Sequence, residues 1–343
     1  MRRALSVALV SATLALAACA PTRAVVVPER GGVPLRVGIV TAGGAAAAGY
    51  ASLAEGGRFE AERDLGVITS VSDVTEPEEY ARGLADFAEG GYDLVVAVGP
   101  PFEHATWQVA RQFPDVRFAL VDGAPEDDRS GTEDLPNVSN LMFAENEAGY
   151  LAGTIAGAMA HERVGSAIHD TVCAMGDVAV PRTDRFIAGF RDAVNTISPT
   201  TRVLVTYSNG PGDQARALEI GLEHVSQGCD ILFDVAVGTG YIAAASAKGV
   251  YAIGAGWDRS GFAPETVIAS AVKRVDRAIY ATVKELRDGR FTPRDVLFDA
   301  SRDGVGYGTL GSAVPASARA AVDQAIADIR IGRIKPKSDL GRP

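Results

Sequence analysis

Short Val- and Ile-rich runs, each closed by Gly, Asp or Ser, alternate along this chain with segments of helical period, and that alternation leaves few folds open. An almost unbroken apolar strand is buried on both faces, and parallel neighbours need a crossover, usually a helix. Repeated βα units building parallel sheets, an α/β class, are therefore expected. Residues 35–41, 92–99 and 117–122 predict strands, with helices over residues 77–89, where Tyr80, Leu84 and Phe87 share a face, and over residues 104–113. A second series begins after residues 137–144: helix 145–161, strand 163–169, helix 182–197, strand 202–208, helix 213–226, strand 230–235, helix 239–248 and strand 250–254. Helices over residues 276–288 and 317–330 close the chain, and residues 125–134, acidic and Gly-containing, read as a solvated surface loop.

Ligand contacts in open parallel sheets gather beyond the carboxyl ends of the strands. The loops so placed are residues 42–51, 99–102, 122–124, 170–181, 208–212, 238–241 and 254–259. Gly238-Thr239-Gly240 follows a strand and can aim backbone N–H groups at an oxygen-rich ligand, although Gly at a βα turn also serves backbone geometry alone.

The 343 residues, 47% hydrophobic and 22% charged, allow two domains with a large core. A net charge of −10 without any Lys/Arg run argues against nucleic acid or anionic head groups as partners. The four His and three Cys show no metal-ligand spacing, and no phosphate loop, dinucleotide fingerprint or nucleophile elbow is present. Neither a metal, nor a cofactor, nor an enzyme is expected.

At the N-terminus, Arg2 and Arg3 precede a small-residue apolar run and then Leu16-Ala17-Ala18-Cys19, which resembles a bacterial lipoprotein signal with its lipobox. That resemblance implies a signal peptide over residues 1–18, lipidation of Cys19 and a flexible tether over residues 19–34. Two or three acyl chains, at about 0.8 kcal/mol per buried methylene, hold a protein on a bilayer. The expected site is the extracytoplasmic face of the cell membrane, with lipid as the only membrane contact. No later apolar stretch is long enough to span. Export permits a disulfide between Cys173 and Cys229, but Cys173 reads as a loop residue and Cys229 as preceding a strand, at opposite sheet ends, so two inert thiols are expected.

Phe143-Ala144-Glu145-Asn146-Glu147-Ala148-Gly149-Tyr150-Leu151-Ala152-Gly153 resembles the basic membrane protein family, the PnrA-like substrate-binding lipoproteins of ABC transporters. Further matches, in the family's order, run through residues 185–190, 227–233, 237–240, 248–254, 270–276 and 303–307. The resemblance implies a type I periplasmic-binding-protein fold: two parallel-sheet lobes joined by a hinge and closing on a purine nucleoside. Lobe 1 is expected over residues 35–143 plus 258–289, lobe 2 over residues 144–257 plus 290–343, with crossings near residues 141–145, 255–259 and 290–297. Separate permease and ATPase chains are the implied partners.

The resemblance also carries site residues. The family's first-loop Asp-Gly-Ser-Phe-Asn run becomes Ala47-Ala48-Gly49-Tyr50-Ala51, which retains an aromatic in Tyr50 and loses both polar partners. Asp122 stands at the ligand-facing Asp, Gly238 at the second lobe's glycine turn and Lys273 at the sugar-reaching lysine. Gly254-Ala255-Gly256-Trp257-Asp258 replaces Gly-Val-Asp-Ser-Asp, so the sugar-binding Asp falls on Gly256 and the second acid on Asp258. Trp257 is either a new stacking plate or a hinge filler. Tyr50 also fits a surface aromatic, Asp122 a turn cap, and Lys273 a partner of Asp276. Unmatched ribose hydroxyls cost about 1 to 3 kcal/mol each, so a nucleoside-like solute other than the usual one is open. A sensory or interaction lipoprotein that no longer serves nucleoside transport is the alternative function.

Overall fold

The computed structural model describes residues 33–43, 48–127 and 131–341. The signal, Cys19 and most of the tether lie outside them. In chain order, β1 (Arg36–Ala42), α1 (Ala48–Leu65), β2 (Ile68–Val74), α2 (Tyr80–Glu89), β3 (Leu94–Val98), α3 (Glu103–Gln112) and β4 (Arg117–Val121) begin the first lobe. The expected surface loop contains instead a two-stranded antiparallel pair, β5 (Glu126–Asp127) and β6 (Gly131–Thr132), before β7 (Val138–Phe143). The second lobe runs through α4 (Glu145–Glu162), β8 (Thr171–Gly176), α5 (Pro181–Ile197), β9 (Arg202–Tyr207), α6 (Gln214–Ser226), β10 (Ile231–Asp234), α7 (Gly240–Lys248), β11 (Tyr251–Gly256) and β12 (Val267–Lys273). The chain returns to the first lobe for α8 (Val275–Arg287) and β13 (Asp295–Phe298), and ends in the second with β14 (Val305–Tyr307) and α9 (Ala316–Arg330).

Each lobe is a six-stranded sheet, ordered β13-β7-β4-β3-β1-β2 in the first and β14-β12-β11-β10-β8-β9 in the second. All pairings within the two sheets are parallel except β12 with β14. Strands β3 and β12 are buried at every residue, and β3, Leu-Val-Val-Ala-Val, accordingly reads as a continuous apolar run. Helix α8 places Val275, Ala278, Ile279, Val283 and Leu286 inward at helical spacing and packs on α1. Helix α4 is buried nearly all round against α5, and a Cβ on Gly189 of α5 would meet the Asn146 carbonyl oxygen at 1.9 Å. One apolar cluster runs through both lobes by way of α4 and α8.

Three segments connect the sheets: Ala144, Arg274 and residues 299–304. They are bonded together, Ala144 N donating to the Phe298 carbonyl at 3.1 Å and Arg274 N to the Gly304 carbonyl at 2.8 Å. The expected crossing over residues 255–259 is thus displaced to Arg274, because β12 pairs with β11 (Gly256 opposite Val272) and keeps the chain in the second sheet. The return expected over residues 290–297 lies beyond Phe298, since β13 pairs with β7 as the edge of the first sheet.

The second lobe departs from the sequence pattern around β8. No strand forms over residues 163–169, because Arg163 and Gly165 have φ of 54° and 57°, turns that an extended strand cannot contain. The strand is β8, so Cys173 lies inside it rather than in a loop, and Cys173 and Cys229 are bonded with Cα atoms 5.8 Å apart.

Candidate functional site

A cavity of about 610 Å³ lies between the carboxyl ends of β1, β3 and β4 and those of β8, β10, β11 and β12. Its polar lining comes from both lobes: Tyr50, Glu103 and Asp122 from the first, Asp177, Arg182, Arg259 and Lys273 from the second. Loops past strand ends are free of ladder bonding, and here the two sets face one another. Tyr80, Pro100, Phe186, Val237 and Trp257 supply apolar walls.

Lys273, the last residue of β12, is sealed from solvent and sits 2.6 Å from Asp122 Oδ1 and 2.9 Å from Glu145 Oε1. Burial would depress the ammonium's pKa, but the two carboxylates override it and hold the group well above its ordinary range. Glu145, at the start of α4, also accepts from Arg185 Nε at 2.6 Å. Its burial would raise the carboxyl's pKa, yet Lys273 and Arg185 together keep it below the usual value. Asp122 Oδ2 accepts from the Tyr50 hydroxyl at 3.0 Å, and burial, then the Asp122 charge, drive the phenol's pKa up. Asp122 adopts φ of 63°, a left-handed conformation that costs a non-glycine residue about 1–2 kcal/mol. Its amide is fixed by the Leu141 carbonyl at 2.8 Å. The alternative pairing of Lys273 with Asp276 is not formed; Asp276 takes Arg274.

A second buried pair lies beside this network. Arg259 Nη1 is 3.2 Å from Asp234 Oδ2 and 3.0 Å from the Gly238 carbonyl, while Nη2 donates to the Ala236 carbonyl at 3.0 Å. Burial pushes the Asp234 carboxyl up to about 7, against the pull of Arg259 and the Ala236 amide. The Arg259 guanidinium carbon lies 4.5 Å from the centre of the Trp257 ring. The Trp257 indole in turn meets the Tyr50 ring edge-on, with centroids 5.9 Å apart.

The pattern of the family described as ABC transporter substrate-binding protein PnrA-like matches residues 35–330, nearly the whole described chain. The chain belongs to that family. This PnrA-like protein is 27% identical over 268 residues to the uncharacterized lipoprotein PH1714 of Pyrococcus horikoshii, covering 74% of this chain and 64% of that one. It is 24% identical over 277 residues to the purine-binding protein BAB2_0673 of Brucella abortus (81% and 75% covered) and 24% over 283 residues to the ABC transporter nucleoside-binding protein BmpA of Lactococcus lactis (76% and 73%). The alignments span 64% to 65% of the length of the Pyrococcus and Listeria relatives. Among solved structures, an ABC solute-binding protein from Aeropyrum pernix K1 matches with a TM-score of 0.71 at 23% identity, over 90% of this chain and 95% of that one. The fold is that of ABC solute-binding proteins, two lobes of parallel sheet, and the family is one of substrate-binding proteins rather than enzymes.

Of the site residues expected in this PnrA-like protein, Tyr50, Asp122, Trp257 and Lys273 line the cavity together. Gly238 does not line it; Ala236 and Val237 do. The Thr239 and Gly240 amides of its turn are taken by Gln214 Oε1 at 2.8 and 2.9 Å, so the turn presents no free N–H pair to a ligand. Asp258 also stands outside the lining, accepting from Thr309 N at 2.8 Å, Thr309 Oγ1 at 2.6 Å and Ser260 N at 3.0 Å. Sequence reasoning passed over Glu103, Glu145, Asp177, Arg182, Arg185 and Arg259. Asp177 and Arg259 fall within loops already marked by strand-end position, and Glu103 follows one directly. Burial raises the Glu103 carboxyl's pKa, with Arg182 across the gap opposing it.

Proposed function

We propose that this chain is the lipid-anchored, extracytoplasmic solute receptor of an ABC importer. It takes a purine nucleoside or a related small polar molecule between its lobes and delivers it to separate permease and ATPase chains. The observation that carries this reading is the cavity walled by both lobes, in which Asp122 of one and Lys273 of the other meet. A solute touching both walls stabilises the closed arrangement over the open one, which is the differential affinity a transport receptor needs. The Trp257, Tyr50 and Tyr80 rings and the Glu103 and Asp177 carboxylates offer flat faces and acceptors suited to a heteroaromatic solute with N–H or O–H donors. The names of the Brucella and Lactococcus relatives support the same solute class. No described helix is long and apolar enough to cross a membrane, so Cys19 supplies the membrane contact in this reading.

The test is a thermal-shift screen of the chain without its first 19 residues against adenosine, guanosine, inosine, free purine bases, pentoses and small amides. A purine compound raises the melting temperature; a shift by another class alone discards the purine part of the reading. Mass spectrometry of the N-terminal peptide from membranes, which must show a lipid-modified Cys19, tests the anchor.

A second reading, a sensory or interaction lipoprotein with the same lobes, is favoured by one observation. Asp122 and Lys273 satisfy each other, and no carboxylate stands at Gly256. A screen without any shift, together with a chromosomal neighbourhood lacking permease and ATPase genes, selects it.

A further inference from the structure

The lobes also meet beside the cavity, at Gly49 and Trp257. Gly49, in the first turn of α1, faces the Trp257 indole at the end of β11, and a Cβ built on Gly49 would fall 2.2 to 2.4 Å from the indole atoms Cδ2, Cγ and Cε2. That is closer than any side-chain carbon approaches a ring, and an indole cannot bend. Nor is Trp257 free to withdraw. Its ring is stacked on the Arg259 guanidinium, which Asp234 and the carbonyls of Ala236 and Gly238 hold in place, and it abuts the Tyr50 ring. A side chain at position 49 therefore displaces the indole or the lobe that carries it.

Helix energetics argue against a glycine here for local reasons. Gly in a helix is less favourable than Ala by about 1 kcal/mol, and the φ of Gly49 is not in the left-handed region where glycine would be required. What the position lacks is room, and the room is occupied by the other lobe. We propose that Gly49 is a positioning residue for lobe closure: its bare backbone is the seat on which the Trp257 indole lands, and it sets how closely the lobes approach. This goes beyond the receptor reading, because it concerns the closing motion and is measurable with no solute present.

The decisive variant is Gly49→Ala, with Gly56→Ala as control. Gly56 lies on the same helix, and a Cβ there finds only Asp276 Cβ, at 3.9 Å. The chain has two tryptophans, so Trp107→Phe leaves Trp257 as sole reporter. Purified in that background, Gly49→Ala is expected to give a red-shifted Trp257 emission, stronger acrylamide quenching and a larger radius of gyration by small-angle scattering. Gly56→Ala is expected to change the melting temperature alone. If Gly49→Ala reports the same emission, quenching and radius as Gly56→Ala, the proposal is wrong; a drop in melting temperature with unchanged radius likewise overturns it, marking the glycine as a feature of the helix. Neither outcome bears on the solute screen, so the two readings fail separately.

Discussion

Lys273 and Asp122 belong to different lobes and meet at 2.6 Å, with 2% and 4% of their side chains exposed. A contact of this kind is a strut as well as a candidate ligand contact. Removing one partner of a buried ion pair costs about 3–5 kcal/mol because the other charge is left uncompensated. Lys273→Met leaves Asp122 without its cation and Glu145 with Arg185 alone. Urea unfolding should show a loss in that range, and a change below about 1 kcal/mol would mean the pair opens to water in solution.

Asp258 has a different signature. Two of its three hydrogen bonds join the segment after β11 to Thr309, and the third holds Ser260 N within that segment, outside the cavity. Asp258→Ala should lower stability by about 1–3 kcal/mol while leaving the affinity for whichever compound the thermal screen identifies within about twofold. Isothermal titration checks the second half, and a large affinity loss would return Asp258 to the site.

The Cys173–Cys229 bond closes a loop of 56 residues within the second lobe. Chain-entropy arguments assign a bond of this span about 4 kcal/mol, with measured values commonly about 2–4. The double variant Cys173→Ala/Cys229→Ala should therefore unfold at lower urea concentration, whereas solute affinity, set between the lobes, should be retained. Equal stability with and without reductant would contradict the first expectation.

Asp234 predicts a pH dependence of unusual sign. Its carboxyl is raised to about 7 from an ordinary 3.8, with burial as the leading cause. Between those values the folded chain holds a proton that the unfolded chain has released, so stability falls as pH rises through the window and levels off above it. The decline is at most about 4 kcal/mol. Chemical denaturation at stepped pH should show this slope, and Asp234→Asn should flatten it even though its baseline shifts. A wild-type slope of opposite sign over the same range would count against the burial argument.

The apolar strands β3, β4, β10 and β11 were legible because burial on both faces writes itself as a run of Val, Ile, Leu and Ala. Strand β2, Ile-Thr-Ser-Val-Ser-Asp-Val, was not: it is a sheet edge with half its surface open, so polar residues interrupt it. Helix α1 was hidden by Gly56-Gly57, which resembles a break. Gly57 is there because a Cβ would strike the Asp276 carbonyl of α8 at 2.6 Å, a tertiary reason that no local pattern records. The same limit applies to the site. The family resemblance pointed to Tyr50, Asp122 and Lys273, and a departure from it to Trp257, all four of which line the cavity, but Arg259 acquires meaning only from Asp234, 25 residues earlier. Glu145 likewise depends on Lys273 and Arg185. For Gly238 and Asp258, the pattern pointed to positions whose polar groups this chain has spent internally.

The three strands that pass between the lobes are tied edge to edge, Ala144 to Phe298 and Arg274 to Gly304, with Ala300 N also donating to Glu147 at 2.7 Å. Laced in this way they act as the spine of a book. The covers can swing about that line, but sliding one past the other, or twisting them in their own planes, would tear the stitching.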